Sequence, residues 1–197
     1  MNLNGHILEY FDDEHIYLVD GIIVPSITHI MKARFGRKYD GINTDVLKQA
    51  AERGTAIHEA IQRLVEDGEE TDIPEVRNFK FLARAYGFAV LRTEIPVILF
   101  HQGRPIAAGR FDLELTNGEK VGGADIKTTS TLDREYLALQ LNLYRRANFQ
   151  TYGIKWEFLK GIHLRGDTRK YVDIPINDQL TTEFIEQWLK EQKGTEQ

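Results

Sequence analysis

The chain has 197 residues, 42% hydrophobic and 28% charged, which is the size and balance of one soluble globular domain able to bury a core without staples. Its cysteine count of zero removes disulfides, thiolate zinc sites, iron–sulfur clusters and thiol nucleophiles together. A net charge of −5 argues against a generic electrostatic nucleic-acid binder, but not against a local basic patch beside acidic groups. No apolar run approaches the roughly 20 residues that cross a bilayer, and the start MNLNGHILEY lacks the basic and apolar regions of a signal peptide. The expectation is a cytoplasmic protein with no membrane contact.

Residues 6–24 read as short strands, with turns near Asp12-Asp13 and at Asp20-Gly21. Ser26 is a good N-cap for a short helix to about Phe35, which Gly36 stops, and residues 36–43 form a polar loop. A helical stretch from about 44 to 67 is expected to break or bend at Gly54 and to end at Gly68; Ile57, Ile61, Leu64 and Val65 form its apolar stripe, with His58 one step off it. By itself such a histidine reads as a buried, hydrogen-bonded residue before it reads as a ligand. Residues 75–92 predict a packing helix carrying Phe79, Leu82, Tyr86 and Ala89, and 93–100 the first core strand, with Glu94 at its start and a turn at Gln102-Gly103. After the segment TTSTLD a helix is expected over 133–149, where Leu137, Gln140, Leu141 and Tyr144 recur on one face. Residues 154–163 and 169–174 pair as strands around Arg165-Gly166-Asp167, a hairpin turn rather than an adhesion signal, and a last helix buries Phe184, Ile185, Trp188 and Leu189 before fraying over 190–197. Lys32, Arg34, Arg37 and Lys38, then Arg134, Arg145 and Arg146, are the candidate basic patches, though each reads as a solvated helix face before it reads as a DNA contact.

The most informative stretch is AGRFDLELTNGEKVGGADIK, residues 108–127. Asn117-Gly118 between two alternating runs is the strongest short-range hairpin signal, and as a two-residue type I′ loop it sets Thr116 opposite Glu119 and Asp112 opposite Gly123. Asp125 is then the diagonal neighbour of Asp112, with Cα atoms about 7–8 Å apart, and alternation puts Lys127 on the same face. Phe111, Leu113, Leu115, Ala124 and Ile126 form the opposite, apolar face. Two carboxylates so placed can share a hard cation, with the Ile126 carbonyl near the rim as a further oxygen. A solvated antiparallel face explains the alternation equally well, and Gly122-Gly123 is a place for a register-shifting bulge.

In order along the chain stand Gly54-Thr55-Ala56-Ile57-His58, Gly109-Arg110-Phe111-Asp112, Asp125-Ile126-Lys127 and Gln140-Leu141-Asn142-Leu143-Tyr144. This series resembles the RecB-like branch of the PD-(D/E)XK nucleases, in small phage or bacterial exonuclease-type members; the opening Asp20-Gly21 followed by Val24-Pro25-Ser26-Ile27-Thr28 is similar too. The resemblance implies an α/β fold with a restriction-endonuclease-like mixed β-sheet flanked by helices. It implies one nuclease domain over 1–197, with N-terminal strands and a short helix in 1–43, a catalytic core in 44–175 and a C-terminal helix in 176–197.

The activity implied is Mg²⁺- or Mn²⁺-dependent hydrolysis of DNA phosphodiester bonds, of exonuclease type, in recombination, repair or end processing in a bacterial or phage-infected cell. Its metal ligands would be His58, Asp112, Asp125 and the Ile126 carbonyl, with Glu94 a secondary candidate. Lys127 would orient the attacking water, and Gln140 and Tyr144 would border the site and meet the DNA backbone or Lys127. No Gly-x-x-x-x-Gly-Lys-Ser/Thr phosphate loop occurs, so unwinding would fall to a partner helicase or recombination protein; the oligomeric state stays open. An inactive nucleic-acid-binding protein of the same fold, or a phosphoesterase acting on RNA, are the alternatives.

Overall fold

A computed structural model describes residues 1–11, 16–36 and 44–195. The turn expected near Asp12-Asp13 and the loop over 37–43, with Arg37 and Lys38, lie outside these residues. The architecture is α/β. A small antiparallel meander, β1 (Asn2–Leu3), β2 (His6–Phe11), β3 (Ile16–Val19) and β4 (Ile22–Val24), leads through two short helical turns, α1 (Ile27–Ile30) and α2 (Lys32–Phe35), into a long helix α3 (Thr44–Asp67) and α4 (Pro74–Tyr86). The main sheet follows in chain order: β5 (Ala89–His101), β6 (Arg104–Thr116), β7 (Val121–Lys127), then helix α5 (Arg134–Tyr152), β8 (Phe158–Arg165) and β9 (Thr168–Ile174), with α6 (Asp178–Thr195) at the end. Among the described strands of this sheet β7 and β8 pair in parallel, as the α5 crossover between them requires, and the other neighbours are antiparallel. No helix among the described residues is long and apolar enough to cross a membrane.

Helices cover both faces of the sheet. On one, Ile57 and Ile61 of α3 and Phe79 and Leu82 of α4 pack on Leu113, Leu115, Ala124, Ile126 and Ile162. On the other, Leu137, Leu141 and Tyr144 of α5 pack with Val97, Phe111, Trp156 and Leu159, and α1 and α6 add Ile27 and Ile185. Gly122 to Ile126 are therefore all buried, and the expected half-solvated hairpin gives way to a strand covered on both sides. Gly122 and Gly123 are not bulged. A side chain at Gly123 would meet the Trp156 ring at 2.1 Å and one at Gly122 the Phe158 carbonyl at 2.4 Å, so glycine here makes room for the following segment.

Several local expectations change. Ser26 caps α1 through its hydroxyl, which accepts from the His29 N–H at 3.0 Å. Helix α3 runs unbroken through Gly54, whose missing side chain admits Thr128 at 3.1 Å, and Gly68 with φ +70° follows its end. The helix expected to reach Arg92 stops at Tyr86, because Gly87 takes the left-handed conformation at its C-cap, and Ala89 already belongs to β5. Two-residue hairpin loops with two positive φ values occur at Asn4-Gly5, Asp20-Gly21 and Gln102-Gly103, but not at Asn117-Gly118. There Asn117 Oδ1 accepts from the N–H groups of Glu119 and Lys120, and Thr116 Oγ1 accepts from Gly118 N–H. These side-chain bonds favour a loop from Asn117 to Lys120 closed by Thr116 facing Val121. Arg145 donates to Trp156 O and pairs with Asp178, and Arg146 donates to Thr182, so both brace α5.

Candidate active site

The longer loop moves the register by two residues: Leu113 faces Ala124 and Leu115 faces Gly122, so Asp112 comes level with Asp125 and not with Gly123. An even shift preserves which side each residue takes. The ladder ends at Leu113–Ala124, and the next backbone donor, Ile126 N–H, is taken by the Asp112 carboxylate at 2.7 Å. The side chain thus stands where the departing strand's carbonyl would be. On the other side of β6 the pairing with β5 skips from Thr93–Leu113 to Ile95–Phe111, leaving Glu94 across from Asp112 with φ +47°. A left-handed glutamate inside a strand is strained backbone held by its surroundings. It accompanies a change of side: Phe111 packs towards α5 while Leu113 packs towards α3 and α4, which corrects the single apolar face drawn from alternation.

Helix α3 brings His58 to the same place. Ligand atoms of His58, Glu94 and Asp112 all lie within 4.8 Å of one another, and His58 Nδ1 is 3.6 Å from Asp112 Oδ2. Glu94, held in the sequence as secondary and at a strand's start, is inside β5 and central to the cluster. Asp125, with its side chain 3% exposed, is not one of those three; it receives the Lys127 ammonium at 2.6 Å on Oδ2. Lys127 also lies 5.7 Å from the centre of the Tyr136 ring. Asp112 and His58 are close enough to act electrostatically on Asp125, which joins the two halves into one site.

Burial, with Asp112 adding to it, pushes Asp125 above the usual carboxylate range. Burial and then Asp112 likewise push Glu94 up to about 7. Burial opposes the charge on Lys127, but the Asp125 and Asp112 carboxylates outweigh it and raise its pKa, so the ammonium persists at neutral pH. The metal-free site is therefore a like-charge cluster whose stability favours the protonated form of Glu94: that contribution is complete below about 4.5 and is lost as pH rises through about 7. Glu94→Gln, in chelator, should raise the melting temperature at pH 8 and leave it unchanged at pH 4. An equal shift at both pH values would show that Glu94 acts by packing alone.

Tyr144 and Gln140 are buried on α5. Burial, then Asp112 and Asp125, raise the Tyr144 hydroxyl well above its ordinary value, so it stays protonated beside the acids. Gly109 is what lets it lie there: a side chain at that glycine would meet the Tyr144 ring at 3.1 Å. Gln140 is not joined by a hydrogen bond to the acids or Lys127 among the described residues, and its buried Oε1 has no partner. The Ile126 backbone meets the site through its N–H. Sequence reasoning missed Tyr10, Thr55 and Arg110, which line with His58, Glu94 and Asp112 an open cleft of about 700 Å³. Arg110 stands inside the quoted Gly109–Asp112 motif, whereas Tyr10, under the Arg110 guanidinium at 5.4 Å, arrives from the N-terminal sheet and has no local signal.

No protein-family profile matches the chain. No curated protein matches it in sequence. Among solved structures, the crystal structure of SSO0001 is similar at 15% identity and a TM-score of 0.45, over 83% of this chain and 71% of that chain. The site must therefore be judged on its own chemistry. Two carboxylates and an imidazole converging beside a buried carboxylate–ammonium pair are suited to a hard divalent cation and a developing negative charge.

Proposed function

We propose that this chain is a Mg²⁺- or Mn²⁺-dependent nuclease that hydrolyses DNA phosphodiester bonds. The observation that carries the reading is the convergence of His58, Glu94 and Asp112 on the end of β7 that holds the Asp125–Lys127 pair. The donor set fits the ion: oxygen ligands to magnesium sit at about 2.0–2.1 Å, so donors within 4.8 Å of one another need only a small closure. Asp112, Glu94 and His58 would hold it, with Asp125 and the Ile126 carbonyl as further oxygens. Bound there, such an ion polarises a phosphoryl group and makes a coordinated water more acidic.

The chain's own groups supply the rest. Lys127 is protonated and fixed by Asp125, so it donates hydrogen bonds and offsets charge gathering on the phosphoryl oxygens; it is not the proton acceptor. Tyr144, also protonated, is a second donor on the α5 side. Arg110 on the rim supplies a fixed positive charge for a phosphate entering the cleft.

The test is cleavage of end-labelled linear and covalently closed circular DNA, with Mn²⁺ and with chelator, beside an RNA of the same sequence. Loss of linear DNA alone, only with Mn²⁺, is the result expected for an exonuclease. Intact DNA under every condition would overturn the reading. His58→Ala should move half-maximal activity to about tenfold higher Mn²⁺ while the metal-free melting temperature changes little. A lowered melting temperature with an unmoved Mn²⁺ curve would make His58 a packing residue.

A further inference from the structure

A second feature lies on α4 and the β8–β9 hairpin and shares no lining residue with the cleft. Arg77, Lys80, Phe81 and Arg84 of α4, with Asp167 and Arg169 of the β8–β9 hairpin, line an open groove of about 510 Å³. Four cations against one acid is a local excess of positive charge on a chain whose net charge is −5. Lys80 is engaged by Glu70, which leaves three arginines against Asp167, still an excess of positive charge. Phe81 keeps 50% of its surface exposed, and the Arg169 guanidinium lies 3.9 Å from the centre of its ring.

The groove is built, and it is tied to the catalytic end of the sheet. Buried Asn78 donates to the Gly166 carbonyl at 2.7 Å and accepts from Arg169 at 3.0 Å, which sets Arg169 over Phe81. Glu75, 1% exposed, accepts from Gly166 N–H at 2.8 Å and from Arg53 of α3 at 2.6 Å. Arg165 donates to the carbonyl of Thr128, the residue after Lys127. Because β7 and β8 are parallel, with Lys127 level with His163, the hairpin tip projects about three residues, roughly 10 Å, beyond the catalytic lysine. Arg53, next to Gly54 of the cleft and bonded to Glu75, and Arg165, bonded to Thr128, thus link the two regions, and both are exposed.

We infer that this groove holds single-stranded DNA leading to or from the cleft, with an unpaired base on Phe81 and phosphates on Arg77, Arg84 and Arg169. The charge selects a polyanion, and the exposed aromatic ring with its stacked arginine selects an unpaired base over a duplex, whose bases are already stacked. An acidic peptide would satisfy the arginines and leave Phe81 without a role. The inference rests on the proposed function only for the strand's being a substrate.

The test uses the full chain in chelator, so that the strand stays intact, and reads fluorescence anisotropy of a labelled oligothymidine against salt. R77E/R84E should weaken binding at least tenfold and reduce the salt slope by about 1.4, the contribution of two phosphate contacts to a single strand. Phe81→Ala should weaken binding about tenfold while affinity for a duplex of the same sequence is unchanged; it also carries the test if R77E/R84E fails to fold. K190E/K193E, exposed on α6 and equal in charge change, should bind like the parent. Parent-level binding by both groove variants, or an equal loss in K190E/K193E, would overturn the site. Equal loss of duplex binding with Phe81→Ala, or competition by poly-glutamate as strong as by unlabelled oligothymidine, would overturn its assignment to single-stranded DNA. If the groove variants lose binding but the parent cleaves nothing with Mn²⁺, the groove stands and the nuclease reading falls. Cleavage by the parent with unaffected groove variants gives the reverse.

Discussion

Asp112→Asn should lower Mn²⁺-supported cleavage at least about a thousandfold, which is about 4 kcal/mol of lost transition-state stabilisation. The amide keeps the oxygen that accepts from Ile126 N–H, so the junction between β6 and β7 survives the change. What disappears is the charge that reaches Glu94, Asp125, Lys127 and Tyr144 alike. In chelator at pH 8 the variant should be at least as stable as the parent, because that charge raises the buried Asp125 and the half-buried Glu94. Asp125→Asn should lose activity to the same extent. The check is a single-turnover rate on end-labelled DNA beside a thermal melt in chelator; parent-level cleavage by purified Asp112→Asn would remove the cluster from catalysis.

The second large effect concerns Lys127. Deleting one member of a buried pair leaves the other without compensation, at a cost of about 3 kcal/mol. Lys127→Met should therefore lose stability at pH 8 as well as turnover, the latter by about a hundredfold or more. The stability loss should shrink as pH falls, since Asp125, already raised by burial, takes a proton and needs no partner. Asp125→Asn/Lys127→Met should recover most of the stability and none of the activity. Denaturant midpoints of the four proteins of this cycle, at pH 8 and pH 5, measure it. Additive losses in the double variant would mean that Asp125 and Lys127 are not coupled in the folded state, whatever their 2.6 Å separation.

How much of this was legible in advance differs residue by residue. Gln140 and Tyr144 share a helix face with Leu137 and Leu141, and helical spacing alone places all four in the interior. Asp125 and Lys127 share a side of β7 for the same kind of reason, a period of two. The loop after Thr116 departs from the two-residue turn because its hydrogen bonds are made by side chains: Asn117 and Thr116 bond their own backbone and lengthen the turn. The resulting error was two residues, so it shifted Asp112 from a diagonal to a level position without moving it off its side.

Local spacing by itself thus determined the order of the groups, the shared side of Asp125 and Lys127, the shared face of Gln140 and Tyr144, and the Ser26 cap, because these depend on dihedral preferences within a few residues. The meeting of His58, Glu94 and Asp112 depends on contacts that span the chain. Helix α3 must lie unbroken on Leu113 and Ile126, with Gly54 admitting Thr128, before His58 reaches β6. Glu94 must adopt a positive φ inside a strand, which no propensity favours and which only the pairing on both sides enforces. Tyr10 and Arg110 meet across two sheets, and the Phe81 groove forms where α4 is pinned to a hairpin tip 88 residues away through Asn78 and Gly166. Those are decisions of tertiary packing, because each sets a strained or charged group against a partner distant in sequence, and only the assembled core holds them together.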